Sequence, residues 1–236
     1  MSWRTSSFTV ALRSIGRAVG LNRWLAYCLG RGANEATYEK ALCDHLREGD
    51  VAWDVGANVG RYTRALAERV GAQGRVFAFE PSPENFNRLK TACGTMDNVL
   101  LLQIGLGRED RKLFLKQGHD KLGATSRVVA DDSSGITVDV RAAANVIEAG
   151  EAPIPNAIKI DVEGFEQEVL EGLGRFLREP DLRTVGVEVH FGILKERGLA
   201  QVPRRLEKTL KESGFKLDWI DSSHIIATRT DAVRSH

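Results

Sequence analysis

Residues 51–70 read VAWDVGANVGRYTRALAERV, and the order of residue types in this stretch decides the architecture. Val51–Val55 is a short apolar run, as expected of a strand buried on both faces. A glycine-rich turn follows, and then a helical pattern with Tyr62, Leu66 and Val70 on one face. The turn itself is Asp54-Val55-Gly56-Ala57-Asn58-Val59-Gly60. Gly56 and Gly60 let the backbone turn tightly and approach a ligand, and Asn58 is among the few side chains that tolerate left-handed geometry.

The alternation continues outward from this unit. Arg75–Glu80 reads as a second strand, after which Ser82 can cap a helix with Pro83 at its first position and Phe86 and Leu89 inward. Asn98–Ile104 is a third, nearly continuous apolar strand. Residues 107–157 are less regular. Short strands at Lys112–Leu115 and Ile136–Val140 flank a polar loop containing His119, Gly123, Thr125 and Ser126, and a short helix runs through Val146 and Ile147. Ala157–Ile160 resumes the sheet, Phe165–Leu173 is helical and Thr184–Val189 is the next strand. A helix from Pro203 carries Leu206 and Leu210 and stops at Gly214. Lys216–Ile220 and His224–Thr228 then form a hairpin. The pattern predicts a doubly wound α/β domain whose mostly parallel sheet ends in an antiparallel hairpin, with ligands at the carboxyl ends of the strands.

Glu80 lies at the end of the second strand, 20 residues after Gly60, where a carboxylate accepts the two hydroxyls of a ribose. An adenosine-containing cofactor is therefore expected. A dinucleotide fingerprint needs glycine at the first, third and sixth positions of the loop, and here Gly56, Asn58 and Arg61 occupy them. No GK[ST] follows, which excludes a P-loop. Asp54 beside the turn repels a pyrophosphate but suits the ammonium and sulfonium of S-adenosylmethionine. Pro81, Ser82 and Gly105, which follow the second and third strands, complete the candidate cofactor residues.

Composition is that of a soluble globular chain: 236 residues, 42% hydrophobic, 28% charged, with a formal net charge of +1. No apolar run spans a bilayer, and no basic stripe with interleaved aromatics marks a nucleic-acid surface. Cys28, Cys43 and Cys93 form no CxxC pair, so buried thiols in a reducing cytoplasm are expected. Residues 1–34 carry five arginines and no acid, a pattern shared by transit peptides and membrane-surface helices. A basic helix packed on the domain through Val10, Ile15, Val19, Leu21 and Leu25 is the expectation here. The domain itself is placed at 35–229 and a tail at 230–236.

The segments DVGANVG, VFAFEPSPENFNRLK, IKIDVEGFEQEVLEGL and VGVEVH resemble FkbM-type methyltransferases from about Leu42 to about Ala227. The resemblance implies a class I methyltransferase (Rossmann-like) fold with a seven-stranded sheet. It also implies S-adenosylmethionine as cofactor and a hydroxyl oxygen, on a sugar or a secondary metabolite, as acceptor. Asp54, Gly56, Asn58, Gly60 and Glu80 match the family's cofactor positions. Thr125-Ser126 stands where members often carry a serine pair, and Ala-Ala-Ala-Asn at 142–145 replaces a common Leu-Asp-Asp-Leu run.

Methyl transfer to oxygen needs an aligned nucleophile and a base. Asp161 ends the fourth strand of the parallel series, and Glu188 and His190 lie at the end of the fifth. These three are the candidate catalytic residues, with Asp161 as base. Glu163 is read as a helix cap, and Lys159 as the partner of Glu188. Asp161, Glu188 and His190 could also form an oxygen-and-nitrogen site for a divalent ion, but no short ligand motif marks one and no metal is expected. Two other functions fit less well: a nicotinamide-dependent reductase, and a cofactor-binding module without turnover.

Overall fold

The computed structural model describes residues 35–116, 127–129 and 135–230. The basic segment 1–34, the loop with His119, Gly123, Thr125 and Ser126, and the tail beyond Thr230 lie outside the described residues. The chain divides into two units, residues 1–40 and 41–236. Of the first, residues 35–40 are described and are helical. The second carries the sheet and the site.

The strand of the decisive stretch is β1 (Val51–Val55), followed by helix α1 (Arg61–Val70), β2 (Arg75–Phe79), α2 (Pro83–Cys93) and β3 (Val99–Leu102). Three short strands, β4 (Gly105–Gly107), β5 (Arg111–Lys116) and β6 (Arg127–Val129), precede β7 (Ile136–Ala142) and helix α3 (Ala143–Glu148). The parallel series returns with β8 (Ala157–Ile160), α4 (Glu166–Leu173), a 3-10 turn at Gly174–Arg178 and β9 (Thr184–Glu188). Helices α5 (Phe191–Glu196) and α6 (Val202–Glu212) lead to the hairpin of β10 (Phe215–Trp219) and β11 (His224–Arg229).

Seven strands form one sheet in the order β10-β11-β9-β8-β1-β2-β3. β1 pairs in parallel with β2 and β8, β2 with β3, and β8 with β9. β11 runs antiparallel to both β9 and β10. This is the expected mostly parallel sheet with an antiparallel C-terminal hairpin. The chain order reverses beside β1, which places the topological switch point at the glycine loop. Trp53, Phe79, Ile158, Ile160, Val185 and Val187 are fully buried between the layers, and the Trp53 and Phe79 ring centroids lie 4.9 Å apart. Helix α1 buries Tyr62, Leu66 and Val70 against this core, and α6 buries Leu206 and Leu210. Ser82 caps α2 by accepting a hydrogen bond from the Asn85 N–H at 3.4 Å, with Pro83 at the first position.

Two elements differ from the sequence reading. The apolar run Asn98–Ile104 is not one strand: β3 ends at Leu102, and the chain enters β4 at Gly105. β4 belongs to a second sheet of order β4-β7-β5-β6, which organises much of the stretch read as irregular. The two glycines of β4, which flank the buried Leu106, are fixed by packing. A Cβ on Gly107 would lie 2.8 Å from Val140, and one on Gly172 of α4 would lie 1.8 Å from the Gly107 carbonyl oxygen. The variant run at 142–145 opens α3, where Asp110 supplies the acid. Its Oδ1 accepts from the Ala142 N–H at 2.7 Å and from the Asn145 amide at 2.9 Å.

Candidate active site

The glycine loop turns away from β1 under two constraints. The Gly56 and Ala57 N–H groups both donate to the Phe79 carbonyl at 3.0 Å, which ties the loop to β2. Gly56 (φ 79°), Asn58 (φ 50°) and Gly60 (φ 89°) are all left-handed. Gly60 also faces α2, since a Cβ there would lie 2.7 Å from Cys93 Sγ. Glu80 closes this half of the site. Its Oε2 accepts from the Asn58 N–H and its Oε1 from the Ser82 N–H, each at 2.9 Å. Two of its roughly four lone-pair positions remain for a ligand hydroxyl at each oxygen. Burial drives its pKa up to about 7, against the lowering effect of those two donors. Pro81 lies beside Gly105, whose added Cβ would sit 3.2 Å from Val140 and 3.5 Å from Pro81. Gly105 thus brings the second sheet against the strand-end turn.

Asp54 has no exposed surface. Its Oδ2 accepts from the Thr63 hydroxyl at 2.7 Å, and its Oδ1 lies 3.0 Å from Lys159 Nζ. Lys159 in turn donates to the Gly56 carbonyl at 3.0 Å and faces Asp161 Oδ2 at 3.4 Å. One buried ammonium therefore links β1, the cofactor loop and the end of β8. Burial opposes its charge, but the Asp54 and Asp161 carboxylates outweigh this and hold it protonated. The expected Lys159–Glu188 pair is replaced by these contacts. The strand register sets Lys159 level with Asp54 on one side and Gly186 on the other, two residues short of Glu188.

Asp161, Glu188 and His190 come together at the carboxyl ends of β8 and β9, each only partly exposed. His190 Nε2 lies 3.5 Å from Asp161 Oδ1, 3.7 Å from Glu163 Oε2 and 3.9 Å from Glu188 Oε1. On its other side, Nδ1 is 2.7 Å from Oε1 of the fully buried Glu166. Burial works against the imidazolium, but the Glu166 hydrogen bond and the neighbouring carboxylates dominate and raise its pKa to about 9. Asp161 is raised by burial and by Glu188, against the pull of Lys159. Glu163 is raised, chiefly by burial, to about 7.

Glu163 does not cap α4. Its backbone is left-handed (φ 51°), the helix begins only at Glu166, and the cap residue Phe165 makes no side-chain bond. Glu166 instead accepts from the Gly164 N–H at 2.9 Å. Three further members of this cluster, Glu166, His224 and Asp221, carry no local sequence signal of their role. Glu166 is an ordinary first-turn acid by sequence. His224 opens β11 directly opposite Glu188 in the register, with Nε2 3.5 Å from Glu188 Oε2. Asp221 holds its Nδ1 at 2.8 Å.

Residues 54–217 match the family model described as the methyltransferase FkbM domain. The chain is 32% identical over 155 residues to hexuronic acid methyltransferase AglP of Haloferax volcanii, covering 65% of this chain and 62% of that protein. It is 30% identical over 145 residues to methyltransferase 1 of Beauveria bassiana, covering 51% and 57%. The chain thus spans about 60% of the length of the curated relatives it matches. Among solved structures it resembles cofactor-bound Rv0187 from MTB, with a TM-score of 0.50 and 16% identity over 86% of this chain and 88% of that one. SMU.1697c from Streptococcus mutans, solved with SAH, gives a TM-score of 0.50 and 13% identity over 80% and 94%. The fold is that of class I methyltransferases.

Proposed function

The chain belongs to the FkbM methyltransferase family, and from that premise we propose that it methylates a hydroxyl oxygen of a small molecule, with a sugar as the favoured acceptor class. Its cofactor is S-adenosylmethionine, which supplies a methyl group already activated by the sulfonium. Glu80 takes the ribose hydroxyls, and Gly56, Asn58, Gly60, Pro81, Ser82 and Gly105 shape the pocket around the adenosine and the amino-acid end. Asp54 acts from beneath the loop, through Lys159 and the Gly56 carbonyl.

The observation that carries the acceptor side is the placement of Asp161. It sits at the end of the strand beside β1, 3.4 Å from Lys159 and 3.5 Å from His190. An aliphatic hydroxyl is a poor nucleophile until a base takes its proton. His190 is protonated near neutrality and cannot accept one. The raised Asp161 carboxylate therefore takes the proton, with His190 holding it in position and the Glu188 charge raising its basicity. The Haloferax volcanii relative, named for a hexuronic acid substrate, supports a sugar as acceptor.

Asp161→Asn preserves shape and removes the charge. Turnover should fall about 10²–10⁴-fold, with S-adenosylhomocysteine affinity and melting temperature nearly unchanged. The assay is transfer of a labelled methyl group to a panel of sugars, uronic acids, phenols and aliphatic alcohols. Near-normal turnover by Asp161→Asn refutes the base role. Tight cofactor binding with no transfer to any acceptor favours a binding module instead.

A further inference from the structure

The acceptor side of the site gathers four carboxylates about one imidazole. Asp161, Glu163, Glu166 and Glu188 lie around His190, while the buried Lys159 ammonium is shared between Asp54, Asp161 and the Gly56 carbonyl. Asp161, Glu188 and His190 each offer one ligand atom within 4.8 Å of the others. They come from two adjacent strand ends, so the register of β8 and β9 fixes their spacing.

Two features point beyond crowding of acids. The first is the orientation of His190. Glu166 occupies Nδ1, which leaves Nε2 as the ring atom presented to Asp161, Glu163 and Glu188. A carboxylate fixing the far nitrogen is how proteins aim an imidazole at a metal and raise its basicity. The second is Glu166 itself. It is fully buried, yet among the described residues Oε2 has no hydrogen-bond partner, so the carboxylate behind His190 is only half satisfied.

We propose that Asp161, Glu188 and His190 hold a divalent cation of the Mg²⁺ or Mn²⁺ type, with Glu166 as the positioning residue behind His190. Two carboxylates and one imidazole suit such hard or borderline ions, and three protein ligands leave positions open. The cation takes the place of the His190 Nε2 proton between the Asp161 and Glu188 carboxylates. An acceptor hydroxyl occupies an open position, where the ion lowers its pKa and the proton leaves to solvent instead of to Asp161. A uronic acid carboxylate, which this acidic cleft would otherwise repel, is held by the same ion. The inference rests on the acceptor-side reading above, because it makes Asp161 act through a metal.

The test is Mn²⁺ binding to the full chain after chelator treatment, followed by calorimetry and electron paramagnetic resonance. One Mn²⁺ per chain is expected, with imidazole nitrogen coupling in the resonance spectrum. Glu188→Gln and His190→Ala should abolish binding. Glu166→Gln should weaken it about 10–100-fold and diminish the nitrogen coupling. Glu163→Gln, which removes a nearby charge outside the ligand set, should weaken it far less. S-adenosylhomocysteine affinity of each variant reports that it is folded. No Mn²⁺ binding, or equal losses for Glu163→Gln and Glu188→Gln, overturns the proposal. Asp161→Asn inactivity with chelator-resistant wild-type turnover would then leave the direct base role standing.

Discussion

A Cβ built on Gly56 would lie 1.9 Å from the carbonyl oxygen of Asp161. The cofactor loop and the acceptor-side strand end therefore meet backbone to backbone at this point. The Asp161 N–H donates to the Val55 carbonyl at 3.0 Å, which holds the two segments at that separation. Any side chain at position 56 must push β8 away from β1.

Gly56→Ala should consequently impair both halves of the site. The residue also has a left-handed φ of 79°, so strain adds to the overlap. A loss of about 2–4 kcal/mol is expected, lowering the melting temperature by about 5–10 °C. S-adenosylhomocysteine affinity should fall with it. Thermal denaturation and calorimetry of the single variant check both effects.

Cofactor affinity should depend on pH through Glu80. Its folded pKa, about 7, lies above the ordinary carboxylate value of 4.5. Stability linked to the neutral carboxyl is therefore complete below about 4.5 and is lost as pH rises through 7. Ribose hydroxyls donate to the ionised form, so ligand binding runs the opposite way. Affinity for S-adenosylhomocysteine should be flat above about pH 7 and fall about tenfold per pH unit below it. Glu80→Gln should weaken binding by about 1.5–3 kcal/mol and flatten the profile. NAD should not bind in either protein. Isothermal titrations from pH 5.5 to 8.5 decide this, and an unchanged slope in Glu80→Gln would assign the pH dependence elsewhere.

Lys159→Met should be far more damaging than a surface charge loss. It leaves the Asp54 carboxylate, which has no exposed surface, without its cation. Removing one partner of such a pair costs about 3–5 kcal/mol. Asp54→Asn combined with Lys159→Met should recover part of that loss, because the stranded charge is gone. Denaturant titration of the two single variants and the double variant gives the coupling energy. Additive losses would show that the pair does not act as a unit.

The fold was legible in the sequence because its signals are local. Apolar strands β1, β8 and β9, the Ser82-Pro83 helix start and the left-handed loop around Gly56 and Asn58 each follow from a few adjacent residues. Their alternation implies a parallel sheet with its ligand site at the switch point. The same logic placed Asp161, Glu188 and His190 at strand ends, where they are found together. What the sequence could not supply was register and the partners that register creates. Lys159 faces Asp54 rather than Glu188 because the ladder sets it level with β1 residue 54. Glu166 reaches His190 across 24 residues of chain, and His224 meets Glu188 only because β11 folds back antiparallel to β9. Likewise the apolar run stops being a strand at Leu102, short of Ile104, because the chain next joins a second sheet at Gly105, which packs against Val140 and Pro81. Periodicity reports which face a residue occupies; which charge it meets there is decided by how strands far apart in sequence are aligned.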